Sequence, residues 1–182
     1  MAKVNAKAGA LVATALVGVF GAMTVTIDSL MIDEGYVDRK YFDIAKVATA
    51  CGGVTGPGVV ADKVYSPEEC KALTAQAYLK ISLEVARCLP GTLPADTRGA
   101  FQRIGYNIGS AGFCASSMSR LALAGDLPGA CAAISKYIYS RHVKDALGRP
   151  RPIAGLIERR KRERAQCEAG LAATPLRPEM LR

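Results

Sequence analysis

Eight residues separate Glu34 from Asp43, and five separate Asp43 from Thr49. Two carboxylates and a hydroxyl so close in the chain carry the groups needed to cut a glycosidic bond. One carboxyl protonates the leaving oxygen while the other helps to hold or activate a water on the opposite face of the sugar. Spacing alone is a modest signal. Taken singly, Glu34 reads as a surface helix residue, Asp43 as a turn former and Thr49 as a strand residue. The flanking residues add weight: Ile32-Asp33-Glu34-Gly35, then Lys40-Tyr41-Phe42-Asp43, then Thr49 leading through Cys51-Gly52-Gly53 to Thr55-Gly56.

The elements that would position these groups can be read in outline. Residues 28–39 are expected to form a short helix carrying Glu34. Residues 40–60, rich in Gly, Val and Thr, are expected to form a small hairpin sheet. Ser66-Pro67-Glu68-Glu69 is a helix start, with Ser at the N-cap, Pro at the first position and Glu completing a capping box. That helix should run from Pro67 to about Cys88, with Pro90 as its stop. Further helices are expected from Thr97, capped by Asp96, to Asn107, from Ala115 to Ala124, from Pro128 to about Ser140, and from Ile153 to about Ala169. Residues 140–152 are basic and read as a loop, and residues 170–182 as a loose tail. The fold class expected is α+β and mostly helical: a small hairpin lobe joined by a long helix to a larger helical lobe, with a cleft between them suited to a polymer.

The chain has 182 residues, enough for one domain with its own core. Its formal charge of +8 draws it to polyanions: nucleic acid, anionic lipid or an anionic wall. No nucleic-acid-binding motif accompanies the charge, so no nucleic-acid partner is expected. The six cysteines include no close zinc pair, and His142 is the single histidine, so no metal is expected. Disulfides in an oxidising compartment fit better, and spacing leaves all 15 pairings of Cys51, Cys70, Cys88, Cys114, Cys131 and Cys167 open.

Residues 8–27 carry no charge, with Lys3 and Lys7 before them and Asp28 after. Twenty residues of helix span about 30 Å, a bilayer core, and the lysines favour a cytoplasmic N-terminus. Nine of the twenty are Leu, Val, Ile, Phe or Met, and the other eleven are Ala, Gly or Thr. Insertion is therefore only weakly favourable. Ala10, Thr14, Gly18 and Ala22 make one face of small residues suited to close helix packing. A cleaved signal peptide, a permanent anchor and a buried core helix are the competing readings. The possible cleavage points, after Gly21 or Thr24, are mediocre, and the low apolar content argues against permanence.

The segments quoted around Glu34, Asp43 and Thr49 resemble the phage-type lysozymes of glycoside hydrolase family 24, and among them the signal-anchor-release endolysins of lambdoid-like phages. The likeness continues through Tyr65-Ser66-Pro67-Glu68-Glu69-Cys70, Thr97-Arg98-Gly99-Ala100-Phe101, Tyr106-Asn107-Ile108-Gly109 and the Gly155 to Cys167 segment, covering about residues 30 to 168. It implies Glu34 as general acid, its pKa raised by partial burial, with an ionised Asp43 and Thr49 placing a water. Inversion at the anomeric carbon and a carboxyl separation of roughly 6.5–9.5 Å would follow. It also implies Arg159 or Arg160 near Glu34, in a run from Glu158 to Arg164 that otherwise reads as a solvated face. With the resemblance in view, the pairing expected is Cys51 with Cys70 and Cys131 with Cys167. Cys88 and Cys114, extra to the family pattern, are then left to each other. Two departures stand out. Lys46 occupies a position usually Gly, where a positive φ would strain any other residue, and Val54 a position usually His.

The function expected is an endolysin that hydrolyses the β-1,4 bonds between N-acetylmuramic acid and N-acetylglucosamine in peptidoglycan, without metal or organic cofactor. Residues 1–28 would be a releasable inner-membrane anchor, 29–169 the catalytic domain and 170–182 the tail, with a monomer in the periplasm after release. The alternative is a membrane-anchored peptidoglycan-binding scaffold with a weakly active muramidase-like domain. A lytic transglycosylase is a further rival, disfavoured by Asp43 and Thr49.

Overall fold

The computed structural model describes residues 30–31, 35–43, 46–56 and 59–173. Residues 8–27, Glu34 and the tail from residue 174 lie outside the described residues. The sheet forms from β1 (Val37–Phe42), β2 (Ala48–Cys51) and β3 (Val54–Thr55), antiparallel in the order β1-β2-β3. The helix expected to reach Arg39 is corrected here. Residues 30 and 31 are helical, but the chain is extended from Val37 because residues 37–42 pair with residues 48–51. The hairpin sheet expected over 40–60 is present, with its first strand starting earlier, at Val37.

The long helix α1 (Pro67–Ala86) begins as expected. The Ser66 hydroxyl accepts from the Glu69 N–H at 3.1 Å, and the Glu69 carboxylate accepts from the Ser66 N–H at 2.9 Å. Lys63 adds an ion pair to Glu69 at 2.8 Å. These contacts, Lys63 first, hold the Glu69 carboxyl below the usual range. α1 serves two cores. Its N-terminal half gives Cys70, Leu73 and Ala77 to a cluster with Ala50, Cys51, Val54 and Tyr65 of the sheet lobe. Its C-terminal half gives Ile81 and Val85 to the main core of Phe101, Ile104, Phe113, Met118, Leu127 and Ile134.

α2 (Ala95–Ile108) starts at Pro94 with no side-chain cap, so Asp96 lies in the first turn rather than at the cap. The helix expected over 115–124 is α4 (Ser117–Leu123), and a short helix that was not expected, α3 (Ser110–Cys114), precedes it. Ser116 lies between them and caps the second by accepting from the Ser119 N–H at 3.1 Å. α5 (Leu127–Ala133) gives way to a 3-10 turn (Ile134–Lys136), well short of Ser140. The chain then forms an antiparallel hairpin, β4 (Tyr139–Lys144) and β5 (Pro150–Pro152), where a loop was expected. α6 (Ala154–Ala173) continues past Ala169. Gly170 explains the extension: a Cβ there would stand 2.6 Å from the Thr97 backbone nitrogen, so α6 is seated against the start of α2.

Three disulfides staple this frame, in the pairing expected: Cys51–Cys70, Cys88–Cys114 and Cys131–Cys167. They fasten the sheet to α1, the residues after α1 to α3, and α5 to α6. Among the described residues no helix is long and apolar enough to cross a membrane. The architecture is the α+β, mostly helical arrangement expected, a small sheet lobe and a helical lobe sharing one long helix.

Candidate active site

Asp43 closes β1 and opens the turn to β2. Its N–H donates to the Val47 carbonyl at 3.1 Å, and its carbonyl accepts from the Lys46 N–H at 2.9 Å. Its carboxylate Oδ1 accepts from the Val47 N–H at 2.9 Å. Lys46 sits at φ 61°, the left-handed conformation that its family position foretold. The turn thus keeps a glycine-like backbone without glycine, at a cost of about 1–2 kcal/mol, while the Asp43 side chain ties it shut.

Thr49 lies in the middle of β2, opposite Tyr41 on one side and Thr55 on the other, and is 3 % exposed. Its hydroxyl donates to the Val47 carbonyl at 2.9 Å. The structure therefore brings Asp43 and Thr49 to one hairpin, both bonded to the backbone of Val47. The position of Glu34, and with it the carboxyl separation and any contact to an arginine, lies outside the described residues.

The floor of the site is fixed from several directions. Cys51 (φ 55°) and Gly53 (φ 80°) make the sharp β2–β3 turn. Gly52 between them faces α1 so closely that a Cβ would meet the Thr74 hydroxyl at 3.0 Å. The Gly52 carbonyl accepts from the Tyr106 hydroxyl of α2 at 2.8 Å, and Cys51 is bridged to Cys70 of α1. Val54 is buried in the sheet-lobe cluster, so at this position the chain has an apolar packing residue. Tyr106 was not legible as a site residue, because its role depends on where α2 passes the sheet.

Arg159 and Arg160 are buried, 4 % and 1 % exposed, and so is Glu163. The solvated face expected for this stretch holds for Glu158, Lys161 and Arg162, which are exposed, and is corrected for these three, which form a polar cluster inside the helical lobe. Arg159 Nε donates to Glu163 Oε1 at 3.1 Å, and Arg160 Nη1 to Glu163 Oε2. Arg160 also donates through Nε to the Tyr137 carbonyl at 2.9 Å and through Nη2 to Asn107 Oδ1. One carboxylate serves two guanidinium groups, and Arg160 links α6 to the end of α2 and to the chain just before the β4–β5 hairpin. Among the described residues no cluster of His, Cys, Asp and Glu could hold a metal.

Comparison with known proteins agrees with this architecture. The sequence profile of the Phage lysozyme family matches residues 32–163, the span holding Glu34, Asp43, Thr49, Arg159 and Arg160. Similar sequences include the SAR-endolysin of Bacteriophage PS119, 31% identical over 134 residues that make 74% of this chain and 75% of that protein. The SAR-endolysin of Enterobacteria phage P21 is 29% identical over 161 residues, 84% of this chain and 93% of that one. Among solved structures, the muramidase domain of SpmX from Asticcacaulis excentricus superposes with a TM-score of 0.70 at 20% identity, covering 79% of this chain and 94% of that one. The active form of P1 phage endolysin Lyz gives 0.67 at 21% identity, with 80% and 84% covered. The structural likenesses establish the fold, and the profile match establishes the lineage. The chain belongs to the phage lysozyme family.

Proposed function

We propose that this lysozyme is an endolysin acting on peptidoglycan, with Glu34 as general acid and with Asp43 and Thr49 placing the attacking water. The observation that carries the reading is the hairpin of residues 43–49, set within a family match that begins just before Glu34. The Asp43 carboxylate at the end of β1 and the Thr49 hydroxyl oxygen, whose proton goes to the Val47 carbonyl, offer a water two acceptors on one hairpin. A water held there attacks the anomeric carbon while Glu34 protonates the bridging oxygen. The bond to the leaving sugar breaks with inversion, and Asp43 receives the water's proton.

Export with a releasable anchor is supported by two things: the uncharged residues 8–27, and relatives that bear the name SAR-endolysin. In this account the N-terminus stays in the cytoplasm, the catalytic domain of residues 29–169 faces the periplasm as a monomer, and the weak apolar segment lets it leave the inner membrane. The three disulfides suit that compartment.

The products test the chemistry. Digested sacculi should release muropeptides with reducing N-acetylmuramic acid ends, formed first as the α-anomer. Anhydro ends in the mass spectrum would overturn hydrolysis, and a first-formed β-anomer would overturn the water-placing role of Asp43 and Thr49.

A further inference from the structure

The β4–β5 hairpin is built to a purpose that the glycosidase chemistry does not use. Its strands pair at Tyr139↔Pro152 and Lys144↔Pro150, and the Ile153 N–H donates to the Ile138 carbonyl at 2.9 Å to close the base. Asp145 organises the turn. Its N–H donates to the Arg149 carbonyl at 2.8 Å, and its carbonyl accepts from the Gly148 N–H at 3.0 Å. Its Oδ1 accepts from the N–H groups of Leu147 and Arg149, each at 2.9 Å, and its Oδ2 pairs with Arg149 Nε at 2.8 Å. Gly148 supplies the positive φ that the turn needs.

This ordered turn displays Leu147, 75 % exposed, with Ala146 beside it, also exposed. Among the described residues no packing compensates for showing a leucine to water. The apolar tip stands on a cationic stem. Residues 139–152 contain Arg141, Lys144, Arg149 and Arg151 against the single Asp145, so four positive charges less one negative leave +3. Lys144, Arg149 and Arg151 are all exposed. Pro150 and Pro152 have no N–H to offer, so β5 is a poor edge for strand addition, which disfavours a second copy of the chain as the occupant.

An exposed apolar tip on a hairpin with exposed cations matches an anionic bilayer surface: the leucine enters the acyl boundary and the cations stay with the head groups. A glycan strand provides carboxylates and hydroxyls but no apolar layer for Leu147. We propose that the β4–β5 hairpin is a peripheral membrane contact, separate from the N-terminal segment, that seats Leu147 in an anionic phospholipid surface with Lys144 and Arg151 at the head groups. It holds the folded domain close to the membrane and does not depend on the catalytic assignments above.

The chain contains no tryptophan, so Leu147→Trp in the full-length protein introduces a sole reporter. Vesicles of phosphatidylcholine with phosphatidylglycerol should shift its emission to the blue, and brominated acyl chains should quench it. Pure phosphatidylcholine vesicles should do neither. Leu83→Trp, at an exposed position on α1, should not respond. Residues 8–27 are common to every variant, so their contribution cancels. The pair Lys144→Gln and Arg151→Gln should weaken partitioning roughly 30-fold, about 5-fold for each charge. Leu147→Ser should leave cleavage of lipid-free sacculi unchanged. The proposal fails if the Leu147→Trp variant keeps its aqueous emission on anionic vesicles, or if Leu83→Trp responds equally. It also fails if the charge pair reduces retention on lipid-free sacculi while vesicle partitioning stays the same, since the wall would then be the partner.

Discussion

Val47 holds both groups of the proposed water site through its backbone, its N–H bonded to Asp43 and its carbonyl to Thr49. This makes Asp43 a turn former and a candidate catalytic group at once, and the two roles separate by substitution. Asparagine at position 43 can still accept from the Val47 N–H, so Asp43→Asn should leave stability within about 0.5 kcal/mol. It removes the charge that receives a proton, so kcat/KM should fall about 100-fold or more. Asp43→Ala should lose both stability and activity. An asparagine variant with full activity in a turbidity assay would reduce Asp43 to shaping the turn. Much of this site was legible in the residues themselves. Lys46 at a position normally glycine announces a left-handed turn, and φ 61° is what the structure has there. Tyr106 was not legible as the clamp on Gly52, because a hydroxyl in a helix gives no sign of the loop it will meet.

At the scale of elements, α6 is held by a polar cluster rather than by apolar packing alone. Glu163 has two buried arginines as partners, and removing it strands both charges away from water. Glu163→Ala should therefore cost about 3–5 kcal/mol in urea unfolding. A loss below about 1 kcal/mol would show that water reaches the guanidinium groups. Charge alone pointed the other way, since a run with four arginines reads as solvated, and the burial of Arg160 depends on Asn107 and the Tyr137 carbonyl arriving from other elements. The start of α1 was legible because Ser66, Pro67 and Glu69 carry its cap locally. The start of β1 at Val37, ahead of the sheet expected from residue 40, and the hairpin at 139–152 were not. The first exists through pairing with residues beyond its own turn. The second follows the early end of α5, with a turn built by one Asp side chain that leaves no periodic pattern.

At the scale of the whole molecule, only six residues lie between Ile27 and Glu34, a span of at most roughly 25 Å even if fully extended. Under the release proposal, residues 8–27 inserted in the bilayer would keep the proposed acid near its surface, and release would change its position relative to Asp43 and Thr49. Raising the apolarity of the segment should block that step. Gly18→Leu with Gly21→Leu should keep the protein in the membrane fraction and delay lysis, read by fractionation and culture turbidity. Equal amounts in the soluble periplasm would contradict release. The charge of +8 and the three disulfides describe a protein suited to anionic surfaces in an oxidising compartment. Everything at this scale rests on the chain being a glycosidase that uses Glu34. The most direct measurement is the turbidity loss of permeabilised Gram-negative cells with wild-type protein and with Glu34→Gln, which removes the acidic proton with little change in shape. The wild type should clear the suspension, and the variant should be slower by at least about 100-fold. Equal rates, or no clearing by either protein, would contradict the account.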